Sequence, residues 1–326
     1  MIQSSSIRGR GTSITSDECA WRGTSPCPHS QGLAGYVMTT WVLAQQLVNA
    51  LSLGAIYAMI AVGLAMIYGV LRILHIAHAG IYAAGAYLGL YFYGLTGNFV
   101  IALLCAMLLA GVLGGLVERF VYRPMIDKPR IVILIASIGL FICLSDLFRI
   151  LAGPHQLPFS VPELQTQYTL AGLRMSSADL FILVGTATIF VALWLFMRKT
   201  RTGFAIRAVA QDLEAAKTMG IDADRCAFLV FVVGSAIAAF GGVMVGVLYN
   251  AVYTTMGDMI AYKGLALIVI GGFGSMSGAV LAAFLLGLTE TLITTYTEIP
   301  LSREGIAMLL LVLLILFRPQ GLLGRA

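Results

Sequence analysis

Runs of roughly 20 apolar residues recur along this chain, each long enough to cross a hydrocarbon core of about 30 Å as an α-helix. That pattern fixes the solvent before it fixes the fold. The 326 residues are 59% hydrophobic and 11% charged, whereas a water-soluble domain carries about 25% charged residues. So few charges cannot cover a water-facing surface, and lipid must supply most of the solvent. The runs lack the period-two alternation of an outer-membrane barrel, which leaves helices to satisfy the backbone inside lipid. The net charge of +5 lies in loops beside apolar spans, as positive-inside topology requires, and gives no nucleic-acid signal.

The spans are 98–117, 131–151, 178–197, 227–248 and 304–317, with a long first one at 42–69 that reads as either a tilted or a broken helix, and shorter glycine-interrupted pieces at 80–93, 264–270 and 278–295. The expected class is an all-α integral membrane protein, a polytopic bundle of roughly eight to ten transmembrane helices. Three basic segments, 118–130, 198–225 and 318–326, are separated by even numbers of spans. One threading therefore puts all three on one side, the cytoplasmic one, with the C terminus inside and the polar loop 153–177 outside. Proline cannot continue a helix, so Arg318-Pro319 ends the last span. Residues 1–37 are rich in Ser, Gly, Thr and Arg and hold no apolar run. They read as a disordered leader, with Met38 a candidate start and 38–326 the transmembrane domain.

The basic segment at 198–225 is too long for a turn and too helix-prone for a slack linker. Phe204, Ile206, Val209, Leu213 and Ala216 give it a partial amphipathic face, leaving Arg207, Asp212, Glu214 and Lys217 for water or a partner. Glu214-Ala215-Ala216 favours a short helix, and Gly220 can end it in the left-handed conformation. A short helix held on the inner side is what a soluble motor needs in order to push on a membrane domain.

Several other motifs invite chemistry. Gly271-Gly272-Phe273-Gly274-Ser275-Met276-Ser277-Gly278 lacks the Gly-Lys-Ser/Thr and the βαβ context of a phosphate loop, so close helix packing or a kink is its reading, with a substrate passage as the alternative. His75 and His78 lie three apart beside Arg72 with no carboxylate near, which favours interfacial packing over a metal or relay. Glu290, an ionisable residue inside a span, is a functional candidate that could equally pair with a neighbouring helix. Gln45, Gln46 and Asn49 are polar glue candidates between helices. Asp146 and Arg149 share a helix face. Cys105, Cys143 and Cys226 sit in or beside spans as small hydrophobes, and the Cys19–Cys27 spacing suits no metal. No Gly-x-Ser-x-Gly elbow, His-Glu-x-x-His or paired acid marks an enzyme. Gly63-Leu64-Ala65-Met66-Ile67 and Gly264-Leu265-Ala266-Leu267-Ile268 suggest an internal repeat, with a substrate path between the halves.

The run from Gly63 through Tyr68-Gly69-Val70-Leu71-Arg72 to Gly80 resembles the first signature of the LivH-type permeases of branched-chain amino acid ABC importers. Thr200 to Asp212, with Glu214-Ala215-Ala216 and Gly220-Ile221, resembles that family's coupling loop. Gly271 to Ala279, and Arg318-Pro319-Gln320-Gly321-Leu322-Leu323-Gly324, match in order too. The resemblance runs from about Thr40 to Gly324. Where the family more often has Asn-Phe-Ala-His-Gly, this chain has His75 for Asn and Ala79 before Gly80.

The resemblance implies a permease subunit in a bacterial inner membrane, paired with a LivM-type permease, two cytoplasmic ATPases and a periplasmic solute-binding protein. ATP and Mg would belong to the ATPases, with no cofactor or metal on this chain. It implies ATPase coupling through Arg207, Asp212, Glu214, Ala215, Ala216 and Gly220. A substrate path is expected along Asn49, His78, Gly80, Gly272, Gly274 and Glu290. Branched-chain or other hydrophobic amino acids are the expected cargo, with urea, short amides or aromatic acids as the family's alternatives. A stand-alone secondary carrier remains the competing class, and it would need Asp146 or Glu290 as its coupling carboxylate.

Overall fold

The computed structural model describes residues 28–126, 128–170, 173–296, 302–318 and 320–323. The expected leader lies outside the described residues as far as residue 27, and Pro319 and Gly324 lie outside them as well. The chain divides after Gln45 into two units. The first contributes, among its described residues, the start of helix α1 (Pro28–Leu71); the rest of the fold is the second.

Among the described residues, six helices are long and apolar enough to cross a membrane. These are α1, α3 (Phe99–Val117, prolonged to Met125), α4 (Arg130–Ala152), α5 (Ser177–Lys199), α8 (Ala223–Leu248) and α10 (Met276–Tyr296). Between them lie α2 (His78–Thr96), α6 (Arg201–Gln211), α7 (Leu213–Thr218) and α9 (Met256–Gly271), and α11 (Arg303–Phe317) follows. Polar residues at the expected turns start these helices by accepting the orphan amides of the first turn. Asn98 Oδ1 accepts from Val100 and Ile101 N–H, and Ser302 Oγ from Gly305 N–H. Ser176 and Asp179 form a reciprocal capping box at α5.

The helices α2, α3 and α8 pack extensively on one another. Lipid offers no hydrophobic drive between helices, so close backbone approach must hold them. Small residues provide it: a Cβ on Gly85 of α2 would stand 2.5 Å from Ala239 Cα of α8. The most apolar stretch of α1 is 89% buried, against 17% for α4 and 22% for α5. The first helix is therefore central, and α4 and α5 face outward.

Three segments differ from the sequence expectation. The charged loop expected at 118–130 is instead helical as far as Met125, with a π-turn over Glu118–Tyr122 and a 3-10 turn over Arg123–Met125. Side-chain partners explain it: Tyr122 Oη lies 2.6 Å from His75 Nδ1, and Arg123 pairs with Asp224 at 2.7 Å. The polar loop 153–177 contains two short antiparallel strands, β1 (Gln167–Leu170) against β2 (Leu173–Ser176), a small addition to an all-α membrane fold. The expected polar link at 250–261 gives way to α9 from Met256, which draws Lys263 into the helical interior.

The glycine motif closes a tight turn between α9 and α10. The backbones of Gly271 and Gly278 come into direct apposition there. The C-terminal segment docks on the same turn, with Leu322 N–H donating to Ile270 C=O at 2.8 Å and Leu323 N–H to Gly271 C=O at 3.2 Å. The two similar strings at Gly63 and Gly264 meet in space: a Cβ on Gly264 would lie 3.3 Å from Leu64.

Candidate functional site

At the hairpin end of the bundle a polar cavity of about 420 Å³ opens between α1, α5, α8, α10 and α11. Helix α1 lines it with Gln46, Asn49, Ser52 and Leu53, and α10 with Glu290, Thr291, Thr294 and Thr295. Asp179 comes from the first turn of α5, where the capping box holds it, and Arg303 from the first residue of α11. Arg303 Nη1 donates to Tyr249 Oη at 3.1 Å. Asn49 and Glu290, both expected on a substrate path, thus share one wall system.

Beneath the cavity lies a buried ionic cluster. Lys263 Nζ is 2.8 Å from Glu290 Oε1 and 3.0 Å from Oε2, and both side chains are 1% exposed. Tyr57 Oη receives a hydrogen bond from Lys263 Nζ at 2.6 Å and donates to Glu290 Oε2 at 2.8 Å. Burying either charge alone would be costly, so the three groups stand as one neutral unit. Lys263 and Tyr57 were not foreseen from sequence. The available signal was the pairing argument itself: a buried Glu290 demands a cation, and Lys263 sits at the mouth of the apolar run beginning at Gly264.

A separate small inner pocket of about 20 Å³ is lined by Ile60 and Leu64 of α1, His75 of the α1–α2 link, His78 at the start of α2 and Ile260 of α9. It has room for about one water. His78 belongs here and not to the outer cavity, wedged where Gly63 and Gly234 approach each other. Gly80 faces Leu144 and Phe141 of α4. Gly272 and Gly274 lie in the α9–α10 turn beside Gly321 and Gly69 respectively, and line neither cavity. Asp146, the other candidate carboxylate, is exposed and paired with Arg149 at 3.5 Å.

The predicted coupling residues gather on α6 and α7. Thr200 caps α6 by accepting from Gly203 N–H at 2.9 Å, and Asp212 caps α7 by accepting from Glu214 and Ala215 N–H at 2.9 and 3.0 Å. The end of α7 is a Schellman motif: Ile221 N–H donates to Ala216 C=O and Gly220 N–H to Lys217 C=O, each at 3.0 Å. Gly220 has φ +80°, a conformation side chains with a Cβ disfavour. The apolar face expected from sequence splits in two. Ile206, Val209 and Ala216 are buried, while Phe204 is 64% and Leu213 41% exposed. The break at Asp212 turns Leu213 away from the buried side. Arg207, Asp212, Glu214, Ala215 and Gly220 are exposed with them, and Met219 is 83% exposed. The result is a mixed apolar and charged surface on a firmly capped pair of helices.

Comparison with known proteins follows the same residues. The family described as branched-chain amino acid transport system / permease component matches residues 46–317. The high-affinity branched-chain amino acid transport system permease protein LivH of Escherichia coli K12 is 32% identical over 296 residues, covering 86% of this chain and 95% of LivH. The corresponding permease protein BraD of Pseudomonas aeruginosa is 31% identical, with the same coverage of each chain. LivM of Escherichia coli K12 is 28% identical over 310 residues, covering 87% of this chain and 71% of LivM. Among solved structures, PsaBC from Streptococcus pneumoniae in complex with Fab aligns with a TM-score of 0.46 at 15% identity, covering 82% of this chain and 89% of that one. The family match begins at a residue lining the cavity, Gln46, runs through the capped helix pair and ends with α11, and the chain belongs to the branched-chain amino acid permease family.

Proposed function

We propose that this chain is one of two transmembrane subunits of an ATP-driven importer for branched-chain or other hydrophobic amino acids. Its partners are a second, LivM-type permease, two cytoplasmic ATPases that hold ATP and Mg, and a periplasmic solute-binding protein. The names of the relatives support the cargo and the paired permeases. In this reading residues 38–326 are the permease domain, and the leader expected at 1–37 runs into α1 from Pro28 onward. The helices α2, α9 and α11 join the six long spans to make nine, and the C terminus is cytoplasmic.

The observation that carries the mechanism is the exposed surface of α6 and α7. Phe204, Leu213 and Met219 are large apolar groups facing outward beside Arg207 and Glu214, as a dock for a soluble ATPase requires. Ala216 is buried and holds the pair in place, while Asp212 and Gly220 fix its two ends. Closure of the ATPases moves this element, and the membrane helices rock to expose the path on alternate sides. The carrier reading draws no support from the two carboxylates it would need, since Asp146 and Glu290 are each ion-paired.

The test is co-purification followed by transport. A gently solubilised, C-terminally tagged chain should bring down two ATPases and a second permease. In proteoliposomes with the binding protein, Glu214→Lys and Gly220→Pro should retain membrane insertion and lose ATP-driven uptake. Proline cannot adopt the positive φ at Gly220 and lacks the N–H that reaches Lys217. Normal uptake by both variants would remove the coupling assignment.

A further inference from the structure

We propose that the outward cavity is a substrate-binding site of the permease chain itself, in which Arg303 and Asp179 read the carboxylate and the ammonium of a zwitterionic α-amino acid. The proposal rests on the amino-acid cargo proposed above and adds where, and by which charges, this subunit selects it. Small-ligand sites join a concave volume of about 300–1,000 Å³ to a few placed polar groups, and the cavity of about 420 Å³ falls in that range.

The charge balance points to a zwitterion. Glu290 forms part of the cavity wall, but its charge is matched from below by Lys263 at 2.8 Å. Among the described residues Asp179 and Arg303 stand in no ion pair. Apart from the paired Glu290 they are the charges on the wall, one of each sign, from different helices. An anion would meet Asp179 and a cation would meet Arg303, each at a cost in repulsion or desolvation. A molecule carrying both charges leaves neither unmatched. Asp179 is held in place by its bond from Ser176 N–H at 3.2 Å, and Arg303 by its bond to Tyr249 at 3.1 Å.

A second observation points to a ligand. Ser52 lines the cavity, is 2% exposed, and its hydroxyl has no hydrogen-bond partner among the described residues. A buried hydroxyl without a partner is a group waiting for one. Leu53 and Leu248 give the same cavity a small apolar wall for an aliphatic side chain. Glu290 belongs both to the cavity wall and to the Tyr57–Lys263–Glu290 cluster, so a ligand held here stands beside that buried charged group.

The test uses the complete membrane complex, permeases and ATPases together, in nanodiscs without solute-binding protein. Tritiated L-leucine is the probe, and binding is read by scintillation proximity. Saturable binding is expected. Isopentylamine, which lacks the carboxylate, and 4-methylpentanoate, which lacks the amine, should fail to displace leucine at a hundredfold excess. Arg303→Gln, a change at the exposed rim, should weaken binding at least tenfold, and Ser52→Ala severalfold. Equal affinity in Arg303→Gln, or displacement by either single-charge analogue, would overturn the site. No saturable binding, in a complex that still imports leucine when its binding protein is added, would overturn the site and leave the proposed function standing. Import of no neutral amino acid by the intact system would overturn the cargo, and this site with it.

Discussion

Replacing Lys263 with methionine tests the buried cluster most directly. Methionine keeps an unbranched stem and removes the charge, leaving the Glu290 carboxylate with the Tyr57 hydroxyl at 2.8 Å as its hydrogen-bond partner. Breaking a buried pair by removing one member costs about 3–5 kcal/mol. Glu290→Met strands the ammonium instead and carries a cost of the same order. Both side chains are 1% exposed, so water does little to soften either loss. Joined in one chain, the two substitutions remove both charges and strand only the tyrosine hydroxyl, for about 1–3 kcal/mol. Independent losses would sum to about 6–10 kcal/mol. The double-mutant cycle should therefore return a coupling of at least about 3 kcal/mol. Reversible unfolding of the purified chain in mixed detergent–SDS micelles measures it. A coupling below about 0.5 kcal/mol, the scatter of independent sites, would refute the ion pair as drawn.

Other substitutions separate tight packing from open surface. Gly85→Val should abolish the folded yield in detergent, because its Cβ would stand 2.5 Å from Ala239 Cα. Gly94→Ala, on the same helix with nothing within 4 Å, should leave stability unchanged or raise it by about 1 kcal/mol. Ser137→Ala should cost about 1–3 kcal/mol in the same unfolding assay, since Ser137 Oγ accepts from the buried Ala77 N–H at 3.0 Å. Asp224→Asn should cost about 0.2–1 kcal/mol: its pair with Arg123 is short but both side chains are more than a third exposed. A larger loss in the isolated chain would mean the pair is screened from water more than its exposure implies.

Much of the helical plan was legible because membrane helices carry their own signal. The span expected from 98 begins at Asn98, the N-cap of α3, and the last expected span ends at Phe317, as α11 does. Glu214-Ala215-Ala216 and Gly220 read correctly as a short helix with a left-handed end, since that chemistry is local. The failures lie where distant residues decide. The stretch after Glu118 looked like a charged loop, but His75 and Asp224, 47 and 101 residues from their partners Tyr122 and Arg123, keep it helical. Phe204 and Ile206 looked like one face, and packing against α5 and α8 then buried only the second. The cavity was half visible. Asn49 and Glu290 stand out as polar groups in spans, whereas Asp179 sits in a first helical turn, where an acid is ordinary, and Arg303 lies one residue before the span expected from 304.

The coupling surface and the cavity are joined by continuous helix, and this gives the proposed mechanism a physical route. Asp179 is in the first turn of α5; the last turn of α5 leads into α6, whose Gly203 lies against the backbone of Phe196 and Met197. On the other flank, α7 leads through its Schellman turn into α8, whose last residues, Leu248 and Tyr249, form the cavity wall and hold Arg303. Helices of 23 and 26 residues span about 34 and 39 Å at 1.5 Å per residue. The single-residue link at Thr200 is itself bonded to Phe196, with its hydroxyl at 2.6 Å and its N–H at 3.2 Å from that carbonyl, so little slack separates α5 from α6. A push on α6 and α7 therefore reaches Asp179 through one rod and Arg303 through the other. In the proposed mechanism a rotation of one rod against the other changes the separation of Asp179 and Arg303, so that loss of the ligand and inward opening would be one event.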